Sequence, residues 1–212
     1  MALTAAQIVD LTTQIAKCPG FTNQALAFLN TVLQELAQDY DFNVIRKSLE
    51  FNFSTTAAGN GYAAGSGPNP MPADFLRLHR NGSFYMISQV PYKLIGVTQE
   101  EFDSFVQQPG LASYPYLAYV DVTQVSGQEP GLYVWPPAAG AYPATIRYNP
   151  QMPEITDTSQ VPWFPNTNYL IRRVAGELMG ITNDDRMPAF LSDNEEQAPM
   201  GAGVLLRKYL QM

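Results

Sequence analysis

The sequence predicts an α+β fold: a helical layer built from the N- and C-terminal helices, with an antiparallel β-rich domain inserted in it. Three observations predict this. Apolar residues recur at spacings of three and four near both ends of the chain, the signature of amphipathic helices. From about residue 45 to residue 150 the period drops to two, as in strands with one wet face. The two patterns are segregated along the chain rather than alternating, which points to α+β and away from α/β. The expected division assigns residues 1–44 plus 158–212 to the helical layer and residues 45–157 to the β-domain.

Thr4 and Gln7 stand at capping-box spacing, followed by Ile8, Leu11 and Ile15 at helical spacing. Pro19-Gly20 ends this first helix. A second helix begins near Asn23 and carries Leu26, Leu29, Leu33, Leu36 and Tyr40, a stripe that must bury against a neighbour, the first helix being the nearest. Leu49, Phe51 and Phe53 alternate with Ser48, Glu50, Asn52 and Ser54, which makes a strand. Residues 57–73, rich in Gly, Ala, Pro and Asn, read as a long loop, of which residues 57–70 have almost no side chains to anchor a core and are expected to be mobile. Asn81-Gly82 supplies the positive φ angles of a type I′ hairpin turn, setting Leu78 opposite Tyr85, Leu76 opposite Ile87 and His79 opposite Phe84.

Thr98 and Glu101 repeat the capping-box spacing and announce a short helix near 99–107. Three further strands are expected around 116–123, 131–135 and 143–149. After the proline-punctuated run 150–165, Leu170, Val174 and Leu178 form a helical stripe with Ile171, Ala175 and Met179 beside it. Gly176 and Gly180, four residues apart, either allow a second helix to approach closely or merely loosen the end of this one. The last helix is expected to start near Ser192 with Glu195 at the capping position, and Pro199 to kink it or delay its start. It carries Leu205, Leu206, Tyr209 and Leu210, with Arg207 and Lys208 opposing the negative end of its dipole.

Composition narrows the function. Hydrophobic residues make up 46% of the chain and charged residues 15%; soluble domains usually carry roughly 25% charge. So little charge, with 12% aromatic residues, suggests that part of the surface is covered by protein rather than water. Twelve basic against nineteen acidic residues leave a net charge of −7, and the longest basic runs are the pairs Arg172-Arg173 and Arg207-Lys208. That balance disfavours specific nucleic-acid binding. Cys18, the one cysteine, lies in an apolar helical stretch and reads as a small buried hydrophobe. No basic segment leads into an apolar core at the N-terminus, and no apolar run has membrane-spanning length, so a soluble protein made in the cytosol is expected.

Catalytic patterns are weak. His79, the one histidine, is expected to be a packed or exposed strand residue, since no third group is identifiable to orient it as a base. Metal sites built on several His or Cys cannot form from one of each. Asp184-Asp185 and Glu195-Glu196 lack the alternating spacing of a calcium loop. Residues 59–64 match a dinucleotide fingerprint in letters, but the Gly- and Pro-rich run after them cannot open the helix that would hold a pyrophosphate. No catalytic residue, cofactor or metal is expected.

Several segments point further. Met71-Pro72-Ala73-Asp74-Phe75-Leu76-Arg77-Leu78 resembles the LPxDFxR signature of phage head-to-tail adaptors of the short-tailed-phage type, including the tail tubular protein A group. Pro115-Tyr116, Leu132-Tyr133-Val134-Trp135-Pro136-Pro137 and Tyr142-Pro143-Ala144-Thr145-Ile146-Arg147-Tyr148 are similar to that family's strands and Pro-Pro turn. Met152-Pro153-Glu154-Ile155-Thr156-Asp157 and the helix containing Arg172-Arg173 continue the likeness to about residue 182. The resemblance implies a virion protein assembled in the host cytoplasm: a twelve-copy ring under the portal, in the neck, extending the DNA channel and docking the tail nozzle. Genomic DNA would only pass through its lumen, and no membrane would be involved. It marks Pro72, Asp74, Phe75 and Arg77 as family-motif positions, and favours Leu205, Leu206, Tyr209 and Leu210 as the portal interface, the alternative being that this last helix simply packs on the second helix of its own domain. The alternative of another class is a virion module binding a glycan or host surface, with Tyr114, Tyr116, Tyr119, Tyr133 and Trp135 as platforms.

Overall fold

The structure, a computed structural model, describes residues 2–55, 64, 66–79, 81–106, 112–122, 130–194 and 198–211. The helices are α1 (Ala5–Ile15), α2 (Thr22–Asp39), α3 (Gln99–Val106), α4 (Thr167–Ile181), α5 (Met187–Leu191) and α6 (Ala202–Leu210). The strands are β1 (Lys47–Asn52), β2 (Asn69–Pro70), β3 (Phe75–Leu78), β4 (Asn81–Ile87), β5 (Val90–Gly96), β6 (Leu117–Asp121), β7 (Gly131–Trp135) and β8 (Pro143–Pro150). The chain divides into two compact units, residues 1–40 with 152–212, and residues 41–151. One is helical and the other carries the sheet, so the fold is α+β.

In the helical unit, α4 is the spine on which α1, α2, α5 and α6 all pack. Its Leu170, Val174, Ala175, Leu178 and Met179 are buried. The α2 stripe is buried at Leu29, Leu33 and Leu36, against α4 as well as α1. The capping box of α1 forms as its spacing predicts, Thr4 and Gln7 each accepting from the other's backbone N–H. Its buried face is turned from the expected one: Ala5, Ile8, Val9, Thr12 and Thr13 are inside, whereas Leu11 is 37% exposed. The threonines can be buried because their hydroxyls donate to the carbonyls of Val9 and Asp10, at 2.8 and 3.1 Å. Cys18 is buried, and its burial pushes the thiol pKa up.

The proline-rich segment before α4 is pinned to this unit. Asn30 brackets Ile155, accepting from its N–H at 2.9 Å and donating to its carbonyl at 3.3 Å. The carbonyls of Gln160 and Thr158 take up the N–H groups of Ala5 and Ala6, two of the unpaired donors at the start of α1. Gly176 lets α5 approach: a Cβ there would lie 2.4 Å from Leu191 Cδ2. The last helix begins at Ala202 rather than near Ser192; a short α5 precedes it, and Glu195 lies outside the described residues.

In the second unit the strands run in the order β1-β8-β4-β5-β6-β7-β2, with β3 also paired to β8. The sheet is mixed rather than wholly antiparallel. β5 leaves into α3 and the chain returns as β6 in the same direction, so these two pair in parallel across a helical connection. The reciprocal Thr98–Glu101 cap that starts α3 is formed.

The hairpin turn lies elsewhere than expected. β4 and β5 form the hairpin, joined by Ser88-Gln89, both at positive φ (47° and 69°). Asn81 belongs to β4, and Gly82, at φ +139°, sits in a bulge between Asn81 and Ser83. Leu78 therefore faces Tyr148 of β8 instead of Tyr85, and Phe84 faces Lys93 and Thr145 instead of His79. Two seven-residue strands can pair along their length, a larger gain than the four residues of β3 offer.

The 57–73 region is also more anchored than its composition suggests. Residues 56–63 and 65, and with them nearly all of the 59–64 fingerprint, lie outside the described residues. Beyond them Asn69 is buried, accepting from Ser54 N–H at 2.8 Å and donating to the Leu132 carbonyl at 3.1 Å. Met71 is 1% exposed and β2 pairs with β7.

β6 and β7 are buried on both faces. Ala118, Val120, Leu132 and Val134 join Phe53, Phe75, Tyr85 and Ile146 in the larger core. Leu117, Tyr119, Tyr133 and Trp135 face the opposite way and pack on Phe102 of α3.

Candidate functional site

Two places gather the residues singled out from the sequence. The first is the start of β3. Pro72 opens a turn whose carbonyl accepts from Phe75 N–H at 2.9 Å. Asp74 then takes Lys47 Nζ on Oδ2 at 2.6 Å and the Tyr148 hydroxyl on Oδ1 at 3.1 Å. Its backbone carbonyl accepts from Gln151 N–H at 2.6 Å. Burial, and then the charge of Asp74 and the hydrogen bond to it, push the Tyr148 phenol up to about 12. Phe75 lies against the Tyr148 ring, centroids 5.9 Å apart.

Arg77 continues the network, with Nη1 2.6 Å from Asp41 Oδ1. The same carboxylate oxygen accepts from Asn149 Nδ2 at 3.3 Å, and Asn149 Oδ1 lies 2.6 Å from His79 Nε2. His79 Nδ1 faces Asp41 at 3.8 Å. His79 is thus a packed residue just past the end of β3, 5% exposed, whose backbone N–H donates to the Arg147 carbonyl. The imidazole does have orienting partners, Asn149 and Asp41, which no local spacing announces. It is too enclosed to meet a substrate in this structure. The network does positional work: it ties β3 to β8 and fixes Asp41 and Gln151, the first and last residues of the β-unit.

The second place is α6. Ala202 and Val204 are buried against the helical unit, and Tyr209 packs edge-on against Phe164 at 5.0 Å between centroids. Leu205 and Leu206 are half-buried and Leu210 is 46% exposed. Of the four residues, Tyr209 is therefore partly used in packing, and Leu210 offers the most free apolar surface. Met200 and Ile181 in the same unit are 48% and 50% exposed.

The aromatic platform does not assemble as a platform. Tyr119, Tyr133 and Trp135 are core residues, whereas Tyr114 and Tyr116 are 54% and 44% exposed. Of the acidic pairs, Asp184 is held by Arg186, whose hydrogen bonds lower its pKa to about 2. Glu195-Glu196 lie outside the described residues. No helix of the described residues is long and apolar enough to cross a membrane.

Comparison with protein families matches the chain to the family described as SU10 adaptor protein, over residues 3–199. The match covers every helix and strand except α6. Comparison with curated proteins gives no match.

Proposed function

This chain belongs to the SU10 adaptor protein family, structural proteins of phage virions, and we propose that it is the head-to-tail adaptor subunit of its virion. In this reading twelve copies form a ring beneath the portal, at the portal vertex, extend the DNA channel and give the tail its docking surface. The likeness of the Pro72–Arg77 motif to the tail tubular protein A group belongs to the same proposal. So does a structural rather than catalytic role, with DNA only passing through the lumen.

The observation that carries the reading is the extent of the family match, 197 consecutive residues from 3 to 199 that span the β-unit and all of the helical unit up to residue 199 except its first two residues. Composition supports it: 15% charged residues suit a subunit with covered faces, and a net charge of −7 suits a conduit that must let DNA slide. For portal contact we propose Leu205, Leu206, Tyr209 and Leu210, with exposed Leu210 leading. α6 lies beyond the family match, so this assignment rests on the helix's own apolar surface. Co-sedimentation of the purified protein with its portal tests the reading. Binding that saturates at one ring of subunits per portal supports it, and a subunit that sediments alone at every ratio contradicts it.

A further inference from the structure

We propose that the β4–β5 hairpin of one copy docks on the helical unit of the next copy in the ring, seating Lys93 in an acidic cleft beside the end of α2. The inference rests on the ring reading above and names one of its contacts. The arm is the hairpin itself. β8 pairs with β4 at Phe84 and Tyr85, and β6 pairs with β5 at Ile95 and Gly96. Among the described residues, 86–91 therefore run on as two strands alone, and Tyr92 and Lys93 follow on the free edge of β5. A bare two-stranded hairpin is marginal in water, and this one sets apolar groups outside: Val90 is 53% exposed and Tyr92 37%. Tyr92 stacks on both Tyr85 and Tyr114, centroids 5.5 and 5.8 Å away, which holds the arm in one direction. Lys93 is exposed and has no ion pair among the described residues.

The cleft, of about 190 Å³, lies within the helical unit between α2, α4 and the start of α6. Small-molecule pockets run to roughly 300–1,000 Å³, so this one has the size for a single side chain. Glu35 and Asp39 line it, and Asp39 has no hydrogen bond or ion pair among the described residues. Asp39 stands in the last turn of α2, which carries no basic residue, against the negative end of the helix dipole. A carboxylate placed there lacks a cation, and Arg173 is already divided between Glu35 and Glu177, at 3.4 and 3.0 Å. Tyr169 lines the cleft from α4 and is 6% exposed. Its hydroxyl makes no hydrogen bond among the described residues and lies among the charges of Arg173, Glu35 and Asp39. An incoming ammonium group would donate to Asp39 and to that phenol oxygen, with Leu191 and Leu206 against its methylenes. Residues 195–197, between α5 and α6, read Glu-Glu-Gln and bring no cation of their own. A ring contact joins two different patches of the same chain, as this arm and this cleft are.

Charge reversal tests the contact, since both positions are exposed and the fold does not depend on them. Lys93→Glu should weaken ring assembly on the portal about tenfold, read from the subunit that co-sediments with portal over a titration. Asp39→Lys should weaken it as much, yet raise the denaturation midpoint of the free subunit, because it sets a cation at the C-terminal end of α2. The full-length chain carrying both changes should recover assembly, the two charges having traded places across the contact. Single variants that assemble like the unaltered chain would overturn this contact and leave the adaptor reading standing. A double variant as weak as the singles would overturn it too, because the two residues would then not meet. An unaltered chain that never joins the portal would overturn the adaptor reading and this contact with it.

Discussion

Asn149 is fully buried and serves two partners at once, accepting near His79 Nε2 and donating to Asp41. Replacing it with alanine strands a buried imidazole N–H and weakens the hold on Asp41. Asn149→Ala should therefore cost about 1–3 kcal/mol. Tyr85 is the converse case: fully buried, with a hydroxyl that has no hydrogen-bond partner. Removing that oxygen takes away an unpaired polar group, so Tyr85→Phe should be neutral or stabilising by about 1 kcal/mol. Urea unfolding of the two variants checks the pair. A neutral Asn149→Ala, or a Tyr85→Phe as damaging as a core truncation, contradicts the hydrogen bonding described. At this scale the sequence is half legible. The spacing Asp74-Phe75-x-Arg77 marks the motif, but the partners of Asp74 lie 27 and 74 residues away, and Asp41 meets Asn149 across 108. No local period encodes such pairings.

The elements most visible in the sequence are those whose cause is local. The capping boxes at Thr4 and Thr98 satisfy their own helix starts within four residues, and both form. The β4–β5 hairpin is hidden in the sequence because its turn pair, Ser88-Gln89, is not the Asn-Gly type that a two-residue hairpin favours, while Asn81-Gly82 is of that type. Strand pairing decided between them, and the non-glycine turn bears the strain of two positive φ angles. Ser88→Asn combined with Gln89→Gly should therefore raise the stability of the β-unit by about 1 kcal/mol, read from its denaturation midpoint. A lower midpoint would show that the turn is held by contacts of Ser88 or Gln89 instead. α5 and the late start of α6 escaped for another reason: Pro199 announces a break without saying how long it lasts. In α6 the buried and exposed positions separate two roles. Val204→Ala should cost roughly 1.5–2 kcal/mol from lost burial. Leu210→Glu, on exposed surface, should leave stability within about 0.5 kcal/mol and abolish portal binding. Intact portal binding by Leu210→Glu would remove α6 from the interface.

Across the whole molecule, burial leads the causes that push the phenols of Tyr85, Tyr148 and Tyr169 up to about 12. An unfolded tyrosine ionises near pH 10, so the folded chain holds on to protons that the unfolded chain gives up. The stability these groups contribute is complete below pH 10 and is lost between pH 10 and pH 12. Tyrosinate absorbance should rise late and together with unfolding over that window, and ionisation of all tyrosines near pH 10 in a still-folded protein would contradict their burial. The larger claim is assembly. A chain with 15% charge, exposed Leu210, Met200 and Ile181 in its helical unit, and a family match over both units is read here as one part of a ring. The most direct test is electron microscopy of the purified protein mixed with its own portal. Twelve-fold rings stacked under the portal, with a continuous central channel, are the predicted result. Portals left bare beside dispersed subunits, at concentrations well above those of assembly, would contradict the account.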